Sequence, residues 1–144
     1  MVRADLPSGP GRRSKKSEGS VVFVSGSAAF DPKPAFAAVA ATNAAIIALA
    51  KAFAEQGIKD GVQVNSIVPG AVMTVRRRSF LAKWAPAHNM SVDEASKKFP
   101  EKASISRYGQ PEEIAELLAF IVSPVSKWMT GTSVRMDGGE IKGI

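Results

Sequence analysis

Two strand-like runs, Val21-Val22-Phe23-Val24 and Val62-Gln63-Val64-Asn65-Ser66-Ile67-Val68, flank a long alanine-rich segment. No other feature limits the possible folds as much. The first run is continuous, rich in β-branched residues and stopped by Ser25-Gly26-Ser27, which suits a strand buried on both faces. The second stops at Pro69-Gly70. Between them, from about Ala35 to Gln56, Phe36, Val39, Ile46, Ile47, Ala50 and Phe53 recur at three- and four-residue steps, the spacing of an apolar helical stripe. Alanine is the best helix former, and its small side chain lets a neighbouring helix come close. Gly57 is the expected stop. A strand, a helix and a second strand of this kind make a parallel crossover.

The rest of the chain continues the alternation. Residues 28–34 read as a loop with prolines at 32 and 34. Two short helices are expected near 76–85 and 91–99, the second capped by Ser91 with Glu94 as its capping-box partner. Gln110-Pro111-Glu112-Glu113 opens a strong helix, with proline at its first position and acidic groups in its first turn. Its stripe is Ile114, Leu117, Leu118, Ile121 and Val122, and it ends before Pro124. Thr132 to Met136 reads as the last strand and Asp137-Gly138-Gly139 as a turn. The order predicts an α/β fold with a parallel sheet of three strands and flanking helices. Such a sheet needs cover on both faces, so this inventory reads as part of a larger one.

Composition removes several chemistries. The chain has no cysteine, which excludes disulfides, a thiolate nucleophile and cysteine-based zinc sites. Its one histidine, His88, makes no histidine metal site alone, so no metal is expected. The net charge is +6, and residues 1–18, with five basic and two acidic side chains, carry half of it. This Pro/Gly/Ser-rich arm reads as disordered and separate from a domain at 19–144. Without a recognition motif or interleaved aromatics it predicts no nucleic-acid partner. No apolar run approaches the ~18 residues of a membrane span, and the N-terminus lacks the apolar core of a secretory signal. The expectation is a cytoplasmic protein with no membrane partner.

Three ordered motifs carry a resemblance. Residues 61–74, Gly61 through Val64-Asn65 and Pro69-Gly70-Ala71-Val72 to Thr74, are similar to the G-I-R-V-N-x-V-x-P-G-x-V-x-T stretch of short-chain dehydrogenases/reductases. Arg107-Tyr108-Gly109-Gln110-Pro111-Glu112-Glu113-Ile114-Ala115 resembles that family's R-x-G-x-P-E-E-I-A. Thr130-Gly131 and Asp137-Gly138-Gly139 look like its closing T-G and D-G-G. The resemblance spans about residues 19–144 and implies the C-terminal part of a Rossmann-type doubly wound sheet. It also implies NAD or NADP as cofactor, and hydride transfer between it and a small-molecule alcohol or carbonyl substrate. The family's glycine-rich pyrophosphate turn is not found in residues 1–19, so the expected chain lacks the cofactor-binding half. Cofactor binding by this chain alone is therefore not expected.

What the resemblance implies for the site is mixed. The family uses a tyrosine as general acid/base, a lysine one helical turn later and an earlier serine. A phenol with a pKa of about 10 needs a nearby cation to trade protons at neutral pH. Here the tyrosine position is Val39 and the lysine position is Asn43. The serine position falls near Ser25-Gly26-Ser27, with Ser27 the nearer match and Ser25 the other candidate. On the cofactor side, Asn43, Pro69, Gly70, Val72 and Thr74 carry over, with a turn kept for shape as the other reading. Arg76-Arg77-Arg78 reads either as a phosphate or acid contact or as a solvated helix start. Trp84 and Trp128 are both expected to pack, the first under the segment that covers substrate in the family and the second near a subunit contact. Helix 35–55 and the last helix and strand correspond to the family's subunit contacts, which implies a homo-oligomer. A non-catalytic remnant or subunit that keeps those surfaces is the alternative.

Overall fold

The computed structural model describes the backbone of Val2–Arg3 and residues 19–143. Its elements are β1 (Val2–Arg3), β2 (Gly19–Val24), α1 (Ala37–Asp60), β3 (Val62–Pro69), α2 (Val75–Ala87), α3 (Val92–Ala103), α4 (Pro111–Val122) and β4 (Ser133–Met136). The sheet order is β1-β2-β3-β4, with β2, β3 and β4 parallel and β1 antiparallel to β2. This is the three-strand parallel sheet with flanking helices that the sequence predicts. Val2 and Arg3 pair with Val22 and Val21, against the expectation of disorder for the whole arm. The remainder of 1–18 lies outside the described residues.

β3 is the central strand, buried from Val64 to Val68, and its alternation serves two helices. Ile67 joins Val22 and Ile121 in a core that Ile114, Leu117, Leu118 and Val134 complete, which places α4 on one face. Val64 meets α1 at Gly57 on the other. Val122, expected in the α4 stripe, is exposed.

α1 corrects the sequence reading in two ways. Its buried face consists of Ala40, Ala50, Ala54 and Gly57, whereas Phe36, Val39 and Phe53 are each at least half exposed. Small residues bring the helix close to the sheet and turn the large apolar side chains outward. Phe53 finds one neighbour there, stacking on Phe23 at 6.1 Å. The helix also runs past Gly57. Its left-handed cap is Gly61, at φ 74°, whose N–H donates to the Gly57 carbonyl. Gly57 is needed for close approach instead, because a Cβ there would lie 2.4 Å from the Val62 carbonyl oxygen.

The expectation that no apolar stretch reaches membrane length is also corrected. Residues Pro34–Asp60 form one helix long and apolar enough to cross a bilayer, by length and composition only. The alanines that let it lie against the sheet raise its apolar content, and few charges interrupt it.

Polar side chains of β3 fasten the segment before β4. Gln63 Nε2 donates to the carbonyls of Ser126 and Met129, at 2.6 and 3.0 Å. The buried Asn65 donates to the Met129 carbonyl at 2.8 Å and accepts the Thr132 N–H at 3.2 Å. Asn65 therefore supports the strand and its neighbours. Ser66 and Ser133 share a hydroxyl hydrogen bond of 2.7 Å.

The start of α4 contains the described chain's bidentate ion pair, Arg107 to Glu113 at 2.7 and 2.8 Å. Arg107, then the Gln110 N–H, hold the Glu113 carboxyl at about 2, below its ordinary 4.5. A carboxyl depressed in the folded state adds stability above its unfolded value, and that stability is lost as pH falls toward the folded one. The urea midpoint is therefore expected to fall between about pH 4.5 and 2, and Glu113→Gln should flatten that part of the profile.

Candidate functional site

The ends of β2 and β3, where a doubly wound sheet binds its ligands, bring together most of the residues the sequence singles out. At the end of β2, Ser25 Oγ donates to the Asn43 carbonyl at 2.8 Å. The Asn43 amide lies over Gly26, where a Cβ would come 2.9 Å from Nδ2. Ser25 and Gly26 are thus the residues that meet Asn43. Ser27 begins a single 3-10 turn, Ser27–Ala29, and its carbonyl accepts the N–H groups of Phe30 and Asp31. Val39 lies one turn before Asn43 and is 52% exposed. Valine has no proton to exchange, and an asparagine amide supplies hydrogen bonds but no positive charge.

At the end of β3, Pro69 to Thr74 form a shelf. The Gly70 N–H donates to the Met136 carbonyl at 3.1 Å. A Cβ at Gly70 would lie 2.7 Å from Asp137 Cα and from Glu140 Oε2, so glycine is required by the chain's own tail. The Glu140 carboxylate accepts the Ala71 N–H at 2.9 Å. Asp137 accepts from the N–H groups of Gly139 and Ile141, which makes the D-G-G segment a self-bonded turn. Val72 pairs with Gly109, and its carbonyl accepts the Thr74 N–H at 2.9 Å. Thr74 caps α2, its hydroxyl accepting the Arg77 N–H at 3.2 Å.

Among the three arginines, Arg77 is the one with an assigned place. Its guanidinium lies 5.3 Å from the Phe99 ring centre and 5.7 Å from that of Tyr108, and those two rings stack at 5.5 Å. This cation–aromatic group joins α2, α3 and the strand-like segment before α4. Trp84 packs beside the Leu81, Ala85 and Ala95 cluster, as expected, and stacks on the exposed His88 at 3.9 Å. Trp128, also expected to pack, is instead 97% exposed within the chain. Among the described residues no group of three metal-ligating side chains occurs. Sequence reasoning missed Glu140 and the Arg77 stack. The only signal for Glu140 was its place directly after the glycine turn.

A parallel sheet covered by α1 and α4, with a Pro-Gly shelf at the end of its central strand, defines a Rossmann-type α/β chain. Residues 10–140 match a family model described as enoyl-(acyl carrier protein) reductase. An uncharacterized oxidoreductase of Bacillus subtilis, YvaG, is 31% identical over 134 residues, covering 90% of this chain and 51% of the relative. A short-chain dehydrogenase family protein from Francisella tularensis superposes with a TM-score of 0.80 at 35% identity, over 86% of this chain and 51% of that one. A short-chain oxidoreductase from Pseudomonas aeruginosa, solved with NADPH and described as containing an atypical catalytic center, gives 0.73 at 29%, over 87% and 47%. The chain belongs to the short-chain dehydrogenase/reductase family. It spans about half the length of these relatives. Members of this family with the same fold are solved with NADPH or NADH bound.

Proposed function

We propose that the chain supplies the nicotinamide side and the covering helices of an NAD(P)-linked oxidoreductase that acts on a small alcohol or carbonyl compound. By itself it is not a catalyst. The observation that carries this reading is the end of β2, where Asn43 meets Ser25 and Gly26 while Val39 stands one turn away. The topology of the family's site is kept and its proton-transfer pair is not. The shelf fits part of a nicotinamide nucleotide. Val72 and Thr74 would hold the carboxamide end, beside Pro69 and Gly70, and Asn43 would meet a ribose hydroxyl. When bound, the nucleotide supplies or accepts hydride. Ser27 is the remaining candidate for orienting a carbonyl, and its turn sits next to the Gly26–Asn43 contact. A cytoplasmic location belongs to the same reading.

Titration with NADH and NADPH, followed by nucleotide fluorescence, tests the proposal. Without a pyrophosphate-binding glycine turn, no saturation is expected in the low micromolar range. A low-micromolar dissociation constant would overturn it.

A second reading, a non-catalytic subunit, is favoured by the surface. Trp128 is 97% and Val125 83% exposed, and they stand beside the exposed Phe120 and Val122. Among the described residues, β2 pairs on its β1 side through Val22 and Val21. Exposed apolar surface like that around Trp128 promotes association. Sedimentation at micromolar concentration is expected to show a dimer or larger species. A single 15.2 kDa monomer would count against any self-association.

A further inference from the structure

A cleft of about 330 Å³ opens between α3 and the segment leading into α4, away from the β2–Asn43 site. That volume is within the range of small-molecule sites. Its apolar wall is Met73, Pro100 and Ile105. Tyr108 completes the wall, and its hydroxyl is buried with no hydrogen-bond partner among the described residues. A buried polar group of this kind calls for an explanation, since most are paired. Burial pushes the Tyr108 hydroxyl up, and it stays protonated beneath the wall of the cleft.

The charges at the rim are of both signs. Lys97 and Glu101 stand one turn apart on α3, and both line the cleft. Neither is in an ion pair among the described residues, although the charge of Lys97 reaches Glu94 on the preceding turn. Arg107, also at the cleft, is already neutralised by Glu113. Among the described residues the cleft therefore offers one available cation, one available carboxylate and an apolar wall. A simple anion would meet Glu101, and a simple cation would meet Lys97. A molecule carrying both charges on an apolar body satisfies the two at once.

We infer that this cleft is a binding site for a small zwitterion with an apolar side chain, of the free amino acid class. Lys97 takes its carboxylate, Glu101 its ammonium group, and Met73, Pro100 and Ile105 its side chain. The cleft adjoins the Pro69–Thr74 shelf through Met73, but its test uses no nucleotide, so either reading can fail without the other.

The probes are L-leucine, 4-methylpentanoate, which lacks the ammonium, and 3-methylbutylamine, which lacks the carboxylate. Each is titrated into the full chain while the methyl resonances of Met73 and Ile105 are followed by NMR. Saturable shifts with L-leucine are expected, with at least tenfold weaker binding of the other two probes. Lys97→Met, an exposed position that leaves the fold intact, should weaken L-leucine by at least tenfold, and Glu101→Gln likewise. Absence of L-leucine shifts overturns the inference. So does equal binding of all three probes, or L-leucine binding that Lys97→Met leaves unchanged.

Discussion

Given NADPH or NADH and an aldehyde or ketone, the chain is expected to show no turnover above background. Loss of a positioned acid–base group alone removes about 10²–10⁴-fold in rate. Val39 has no exchangeable proton, and Asn43 gives no positive charge to lower a neighbour's pKa. Restoring the pair by Val39→Tyr with Asn43→Lys should restore nothing in this chain alone, because on the proposed reading the Pro69–Thr74 shelf meets only the nicotinamide end of the nucleotide. Fused behind the preceding half of a relative, the double variant should raise carbonyl reduction by about 10²-fold or more. Absorbance of the reduced nucleotide follows both. If the fusion binds nucleotide and the double variant brings no gain, the site uses another proton donor or none.

The largest expected stability effect lies at Gly57. A Cβ there would sit 2.4 Å from the Val62 carbonyl oxygen and 3.2 Å from Val64 Cγ2. The first contact is backbone of the central strand and cannot turn aside as a side chain would. Gly57→Ala would gain about 1 kcal/mol of helix propensity, but α1 must lift from β3 to admit the methyl. Overpacking of this kind typically costs about 1–3 kcal/mol. Gly57→Val adds branching and should lie at or above the top of that range. Gly143→Ala, which meets nothing within 4 Å, is the neutral control. Urea unfolding of the three variants checks the order. A Gly57→Val midpoint equal to that of the unsubstituted chain would mean that α1 does not lie this close to the sheet.

The order of elements was legible in the sequence because the periods are clear there. The continuous run at 21–24 gave β2, the Ser91–Glu94 pair marked the cap of α3, and Pro111 with two following glutamates marked α4. What failed to show was which side of α1 faces inward. Period alone locates a stripe, and in α1 the large apolar residues and the alanines each form one. The inward stripe was decided by distance to the sheet, which favours alanine and glycine. The end of α1 was misplaced for a related reason, since Gly57 and Gly61 are equally good breakers in one dimension. For the candidate site, a motif aligns Val39 and Asn43 by register alone, and the structure adds the contact of Asn43 with Ser25. Ser25-Gly26-Ser27 was less legible, because the contact between Gly26 and Asn43 needed coordinates. The role of Gly70 changed in the same way, because the residues that crowd it, Asp137 and Glu140, are remote in sequence.

The fastening of β3 to the segment before β4 has a consequence for synthesis. Gln63 and Asn65 leave the ribosome long before Ser126, Met129 and Thr132, their partners. A nascent chain that had formed β2, α1 and β3 would still hold two amide side chains with nothing to bond to but water. Burying them early would leave polar groups unsatisfied at a cost of about 1–3 kcal/mol each. β3 therefore stays open on its β4 side until residues 126–136 arrive, and the strand at the centre of the sheet is sealed later than β2 and α1. Arrival of residues 126–136, rather than emergence of β2, α1 and β3, sets the moment at which this sheet closes.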